Sequence, residues 1–232
     1  MPHKPAPDRV GSGLVRLYQP LHPADNAAER TAQLELLHRQ IASCQRCVEA
    51  GFLSTADSVA GYRGRIGNWL MLVGQAPGHR SVEARMPFSG PSGRALTHWL
   101  LQAGFGQGAL RTEVYLTAMT RCDPGRLYGS HGDRKPSPPE MALCRPNLER
   151  ELELVRPSAI LLAGTVAIEA FLGSSPLDSV VGTMFERSGV KLLPVPHPSG
   201  VSRWLNDSGH RALLQRALAL LDDLRRARSD GV

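Results

Sequence analysis

Four short runs of apolar residues recur along the chain and predict the strands of one sheet. They lie at positions 70–73, 114–118, 159–163 and 190–195, and residues typical of turns or helix starts follow them. Runs of this length and setting are typical of buried strands. Because helical patterns separate the runs, the sequence predicts a four-stranded parallel sheet with helices on both faces, which is the α/β fold class.

The segments between these runs carry the periodicity of amphipathic helices. The predicted helices span 26–43, 91–104, 139–155, 165–172 and 208–228, and a weaker pattern near 180–186 allows one further short strand. No change in composition divides this part of the chain, so we expect one domain over residues 25–228. Residues 1–24 are polar and rich in proline, and we expect them to form a flexible N-terminal extension.

Charge and composition narrow the class of partner. The chain has 232 residues and a formal net charge of +6, with many arginines in the predicted loops. Such a balance fits a polyanion such as DNA, although charge alone does not identify the chemistry. The sequence has no apolar span of membrane length and no hydrophobic signal core at its N-terminus. We therefore expect a cytoplasmic protein with no membrane association.

Two predicted strands end in stiff loops that are suited to hold a ligand. The first strand runs into GQAPG at 74–78, where the two glycines would let the backbone approach a ligand closely. The last strand leads to His197, which lies between two prolines. Ligands bind at the carboxyl edge of open α/β sheets, where such loops are expected. His197 could stabilise an anion at neutral pH, and an ordinary proline-rich turn is the alternative.

The four cysteines, Cys44, Cys47, Cys122 and Cys144, favour a metal site over disulfides. Disulfides are rare in unexported proteins, and a Cys-x-x-Cys pair can place two thiolates on one centre. Four thiolates suit either zinc or an iron–sulfur cluster. The second pair is 22 residues apart, so the spacing also allows unrelated buried thiols.

In this order and spacing, the motifs of the chain resemble those of the uracil-DNA glycosylase superfamily, in particular the iron–sulfur branches known as families 4 and 5. The resemblance covers roughly residues 40–225. It rests on the Cys44/Cys47 pair, GQAPG at 74–78, PFSG at 87–90, YLTAMTRC at 115–122, the segment 136–144 and HPS at 197–199. Each motif is weak alone, and the set is specific.

The resemblance implies a DNA repair enzyme that flips a uracil nucleotide out of the helix and hydrolyses its N-glycosidic bond, leaving an abasic site. It also implies that the four cysteines hold a structural [4Fe–4S] cluster, with zinc as the less favoured alternative. We expect a monomer that acts on uracil-containing DNA, single- or double-stranded, in the nucleoid. Other deaminated bases are possible further substrates.

Site residues follow from the same resemblance. His197 would stabilise the anionic leaving base, Gln75 would take the catalytic position of the loop, and Phe88 would stack on the base. The other base-pocket positions are Gly74, Ala76, Pro77, Gly78, Ala118 and Ser199. The segment 200–206 would enter the minor groove, and Arg203, Trp204 or Leu205 would fill the gap left by the flipped base. From the residues alone, Phe88 could equally be core, Gln75 a loop amide, and 203–205 an exposed turn.

The chain departs from both branches at catalytic positions. Family 4 has a glutamate where this chain has Gln75 and an asparagine where it has Ala118, whereas family 5 has an aspartate just after the phenylalanine motif, where this chain has proline and serine. A neutral amide can position water but cannot take its proton. The carboxylates nearest in sequence, Glu83 and Asp123, fall on no family catalytic position. Two alternatives therefore remain: a weakly active protein that recognises damaged or single-stranded DNA, and a zinc-stabilised α/β module without a base pocket.

Overall fold

A five-stranded sheet forms the centre of the computed structural model, which describes residues 15–17, 26–59, 64–126, 133–199 and 203–229. The strands are β1 (Leu70–Gly74), β2 (Val114–Ala118), β3 (Ala159–Ala163), β4 (Phe185–Arg187) and β5 (Val190–Val195). Their order in the sheet is β2-β1-β3-β5-β4. The four predicted strands are β1, β2, β3 and β5, and all their pairings are parallel.

The prediction of a purely parallel, four-stranded sheet is corrected by β4. This strand pairs antiparallel with β5 and makes the sheet mixed. Ser188 and Gly189 connect the two strands, and both have positive φ, at 51° and 77°. Positive φ at both central residues is the mark of the tight turn that suits a β-hairpin. The three residues of β4 are too few and too polar to form a distinct apolar run.

Helices cover both faces of the sheet, as the sequence predicts. They are α1 (Ala27–Ala42), α2 (Arg46–Glu49), α3 (His79–Glu83), α4 (Pro91–Gln102), α5 (Ala109–Thr112), α6 (Pro138–Val155), α7 (Thr165–Leu172), α8 (Leu177–Val180) and α9 (Ser208–Ser229), with a 3-10 helix over Arg203–Asn206. The five long helices begin and end close to their predicted limits. In the described ranges, no helix combines the length and apolar character of a membrane span.

The side chains of each strand divide between two hydrophobic layers. In β1, Met71 and Val73 join the layer under α1, α6 and α7, whereas Leu70 and Leu72 join the layer under α4, α5 and α9. Alternate residues of a strand point to opposite faces, so a run that is apolar throughout indicates a sheet buried on both sides. The continuous apolar runs in the sequence have this structural cause.

Three residues from the predicted flexible extension contact this domain. Val15 is buried, and its amide donates a hydrogen bond to the carbonyl of Ala170 at the end of α7. The carbonyl of Val15 accepts a hydrogen bond from Arg187 of β4. Residues 1–14 and 18–25 lie outside the described residues. The extension therefore includes at least one contact point with the domain.

A buried ion pair connects α6 to the end of β2. The side chains of Arg121 and Glu151 pair with each other at 2% and 0% exposure. Glu151 also accepts a hydrogen bond from Thr117 Oγ1 in β2, and the Arg121 guanidinium donates to the carbonyl of Ala118. Charged groups at this depth need such partners, because an unpaired buried charge is costly. The pair fixes the backbone that leads from the sheet edge to Cys122.

Candidate active site

The carboxyl ends of the parallel strands open into a cleft of about 800 Å³. Gly74 at the end of β1 is in register with Ala118 at the end of β2, and Ala163 of β3 with Val195 of β5. Every predicted base-pocket residue lies on the wall of this cleft. These residues are Gly74, Gln75, Ala76, Pro77, Gly78, Phe88, Ala118, His197 and Ser199.

Phe88 forms one wall of the cleft in a constrained backbone conformation. Its φ is +55°, in the left-handed region that residues other than glycine rarely adopt. The guanidinium of Arg111 donates to the carbonyls of Pro87 and Phe88, the latter at 2.9 Å. A Cβ on Gly93 would lie 1.7 Å from the Phe88 carbonyl oxygen. Arg111 and the missing side chain at position 93 together hold this turn.

The ring of Phe88 lies against the backbone of β1. A Cβ on Gly74 would be 2.9 Å from Phe88 Cζ, so the ring occupies the space that a side chain would need. Phe88 is half-buried and packs on the hydrophobic layer under α4 and α9. It therefore combines a core contact with an open face toward the cleft. The two interpretations of Phe88, core residue and stacking platform, are compatible.

His197 faces the same cleft from the loop after β5. A Cβ on Gly164, which has a φ of +89°, would lie 3.0 Å from Cδ2 of the imidazole. The backbone amide of Ser199 donates to Nδ1 of His197 at 3.3 Å. Nδ1 is therefore the acceptor nitrogen, and in the neutral ring the proton is on Nε2.

The electrostatics of the cleft favour the neutral form of His197. Burial lowers the pKa of His197, and the ammonium of Lys135 lowers it further. Both effects disfavour the imidazolium, because one removes water and the other places a like charge nearby. At neutral pH the cleft therefore contains a fixed Nε2–H donor.

The segment 133–135 contributes cleft residues that the sequence does not single out. Asp133 and Lys135 both line the cleft. Of the two carboxylates that lie nearest to the predicted pocket motifs in sequence, Glu83 lines the cleft and Asp123 does not. Gln75 Nε2 donates to the carbonyl of Arg134 at 3.4 Å, so the loop amide binds this segment. The only sequence signal is the length and polarity of the loop 123–139, which is typical of a functional loop.

All four cysteines line one small cavity, which shares only the lining residue Pro124 with the cleft. Cys44 follows α1, Cys47 is in α2, Cys122 follows β2 and Cys144 is in α6. Burial and the neighbouring thiols raise the pKa of Cys122 to about 12. In the described part of the chain, no three His, Cys, Asp or Glu side chains form a group able to hold a metal ion.

Two side chains donate N–H groups to these sulfurs. Arg46 Nε is 3.5 Å from Cys44 Sγ, and Asn147 Nδ2 is 3.8 Å from Cys144 Sγ. Arg46 also donates to Asn147 Oδ1 at 3.1 Å, so the two donors support each other. Donors of this kind stabilise thiolates bound to a metal centre. The shared cavity and the N–H donors fit a cluster with four thiolate ligands.

Comparison with known proteins agrees with this geometry. A family model of the uracil DNA glycosylase superfamily matches residues 63–221. The chain belongs to the uracil-DNA glycosylase superfamily. Three similar proteins are type-4 uracil-DNA glycosylases: from Thermotoga maritima (26% identity, covering 80% of this chain and 92% of the relative), from Archaeoglobus fulgidus (29%, 72% and 82%) and from Pyrobaculum aerophilum (28%, 73% and 85%).

The residues predicted to form the DNA wedge make contacts within the protein. Trp204 stacks on His210 with ring centroids 4.2 Å apart and donates from Nε1 to Asp178 at 2.7 Å. Leu205 packs on the hydrophobic layer under α9, whereas Arg203 is exposed. Residues 200–202 lie outside the described residues. The role of residues 203–205 as a wedge stays a prediction, and if Trp204 is the wedge it must leave these partners.

NMR of the imidazole nitrogens in isotope-labelled protein should show that the His197 ring is neutral at about pH 6.5, with its proton on Nε2. His210 provides an internal control. Its pKa is raised by the hydrogen bond to the Trp204 carbonyl and by Asp178, so its ring should be protonated at the same pH. A His197 ring that is protonated at this pH, or that has its proton on Nδ1, would contradict the assignment.

Proposed function

We propose that this superfamily member is a DNA glycosylase that hydrolyses the N-glycosidic bond of uracil in DNA and leaves an abasic site. The observation that carries the proposal is the neutral His197 with its Nε2–H donor, held by Ser199 in a cleft that Phe88 walls. A base inside a duplex is unreachable, so the enzyme must flip the nucleotide out of the stack. The names of the relatives support the choice of uracil.

The cleft supplies the two interactions that a flipped pyrimidine needs. The open face of Phe88 would stack on the base, and Nε2–H of His197 would donate to a carbonyl oxygen of the pyrimidine. As the bond breaks, negative charge develops on the base, and a preorganised donor at that position stabilises the transition state. Lys135 adds a positive charge close to the imidazole. The neutral Nε2–H donor of His197 is sufficient to stabilise the leaving base, because uracil leaves as a stabilised anion.

The surroundings of the cleft fit a DNA backbone. Arg80, Arg126 and Lys135 line it, and such side chains position phosphates without reading sequence. The net charge of +6 acts in the same direction. We propose that the protein acts as a monomer on chromosomal DNA in the nucleoid.

We further propose that the four cysteines hold a [4Fe–4S] cluster with a structural role. The cavity that Cys44, Cys47, Cys122 and Cys144 line together supports a centre with four thiolate ligands. The resemblance to families 4 and 5 is the reason to prefer the iron–sulfur cluster over zinc. Bound iron would keep the thiols ionised and would connect α1, α2, α6 and the end of β2.

Replacing His197 should remove the main stabilisation of the leaving base. We expect His197→Ala to lower the single-turnover rate of uracil excision by about 10²-fold or more. His98→Ala is the matched control, because His98 is exposed on α4 and does not line the cleft. An unchanged rate in His197→Ala would remove the proposed role of the imidazole.

A side chain at position 93 should act through Phe88. The Gly93→Ala variant must displace the Phe88 carbonyl, and we expect weaker binding to uracil-containing DNA by about 1–3 kcal/mol, the range for base–aromatic stacking. The control is Gly106→Ala, because a Cβ on Gly106 meets nothing within 4 Å. In a Phe88→Ala background, Gly93→Ala should add little. Additive losses would show that position 93 acts independently of Phe88.

Anaerobically purified protein should contain iron and acid-labile sulfide in a ratio of about 1:1, with broad visible absorbance. Cys122→Ser should lose the iron, the absorbance and thermal stability together, whereas Ser43→Ala, next to Cys44 but outside the thiol set, should retain all three. Stoichiometric zinc in colourless, active protein would contradict the iron–sulfur assignment.

A further inference from the structure

Asp133 brings a carboxylate into a cleft whose first loop has the neutral amide of Gln75. It lines the cleft, and its Oδ2 would be 2.5 Å from a Cβ built on Gly78, so the carboxylate rests on the backbone of the GQAPG loop. A larger residue at position 78 would displace it. The absence of a side chain at Gly78 thus makes room for a carboxylate that comes from a distant part of the chain.

Contacts on several sides hold the backbone that carries this carboxylate. Asp133 forms an isolated antiparallel bridge with Arg126, and the amide of Arg134 donates to the carbonyl of Gly125 at 2.9 Å. The side-chain amide of Gln75 donates to the backbone carbonyl of Arg134. Lys135 Nζ is 3.2 Å from Thr165 Oγ1 at the start of α7. The segment therefore has a defined position against the catalytic loop.

The side chains of residues 133–135 alternate between two faces, and Asp133 lies on the face toward the cleft. Arg134 points away from it and forms a two-bond ion pair with Glu140 of α6, at 2.6 and 2.7 Å. Glu140 also accepts from the backbone amide of Ser137, and the hydrogen bonds from Arg134 keep the pKa of Glu140 at about 2. In an extended segment, neighbours of such an anchored residue lie on the opposite face. Asp133 and Lys135 accordingly both line the cleft.

The surroundings of Asp133 suit a base better than a permanently ionised surface charge. Burial and the nearby Asp123 raise its pKa, whereas Arg126 and His79 act in the opposite direction. A carboxylate with a raised pKa accepts a proton more readily.

We propose that Asp133 orients the attacking water and accepts its proton, a role that the neutral Gln75 cannot fill. This inference rests on the proposed glycosylase function. The C1′–N1 bond breaks with its electron pair going to the base, which leaves as the uracil anion. The water oxygen then forms a bond to C1′, and one proton of the water passes to Asp133. Transfer of that proton to solvent or to uracil restores the carboxylate.

Glu83 is the competing carboxylate in the cleft. It is 63% exposed and pairs with His79 at 3.3 Å, one helical turn earlier in α3. Its partner therefore lies on its own helix, and the Gly78 backbone contact belongs to Asp133. The structure thus favours Asp133 over Glu83 for the water.

The test compares single-turnover excision of uracil by the full-length protein and by the variants Asp133→Asn, Asp133→Ala and Glu83→Gln. Asp133→Asn keeps the size of the side chain, and we expect a loss of about 10² to 10⁴-fold, with DNA affinity retained. Added formate should restore part of the activity of Asp133→Ala, because a small carboxylate can occupy the vacated space. Glu113→Gln is the control, since Glu113 is exposed at the opposite edge of the sheet.

Three results would overturn the assignment. They are a rate for Asp133→Asn within about twofold of wild type, a large loss in Glu83→Gln without one in Asp133→Asn, and a covalent DNA adduct on Asp133. The last would make Asp133 a nucleophile instead of a base. If the wild-type protein does not excise uracil, the proposed function fails and this assignment fails with it. Excision by wild type with an unaffected Asp133→Asn would remove only the role of Asp133.

Discussion

The parallel register of β1, β2, β3 and β5 is the constraint on which the rest of the structure depends. In a parallel sheet all carboxyl ends lie at one edge, so loops that are far apart in the chain meet there. Gly74 and Ala118 end their strands as direct neighbours, and the loop after β5 brings His197 beside Gly164 at the end of β3. Two apolar layers hold this register, because a shifted strand would lose its neighbours on both faces.

Missing side chains at three glycine positions then shape the cleft. Gly74 admits the ring of Phe88, Gly93 admits the Phe88 carbonyl, and Gly164 admits the His197 ring. At each position a Cβ would lie 3.0 Å or less from the neighbouring group. Close packing of this kind positions the aromatic platform and the donor before any substrate binds, which is the preorganisation that transition-state stabilisation requires. The conformation of Phe88, with its φ of +55°, is maintained by the same contacts and by Arg111.

The sequence predicts the parts of this molecule that depend on local patterns. The four short apolar runs, the five long helices and the loops GQAPG and HPS all carry local signals, and the structure places them as expected. β4 carries only the weak pattern near 180–186, because its three residues gain their strand conformation from the turn at Ser188 and Gly189 and from pairing with β5. The sequence does not identify Asp133 as a cleft residue, for a different reason. Its place in the cleft depends on a β-bridge to Arg126, on the ion pair of its neighbour Arg134 and on the hydrogen bond from the Gln75 side-chain amide to the Arg134 carbonyl. None of these contacts has a local pattern. Likewise, the sequence pattern predicts only an exposed turn at 203–205 and does not reveal that Trp204 stacks on His210.

The central claim is that this cleft excises uracil although position 75 is an amide. The most direct measurement is single-turnover cleavage by the wild-type protein of matched oligonucleotides that contain uracil or thymine, single-stranded and paired, with alkali to reveal abasic sites. The account predicts abasic sites at uracil and none at thymine. Uracil-dependent binding without cleavage would contradict it and would indicate a protein that recognises the base without removing it.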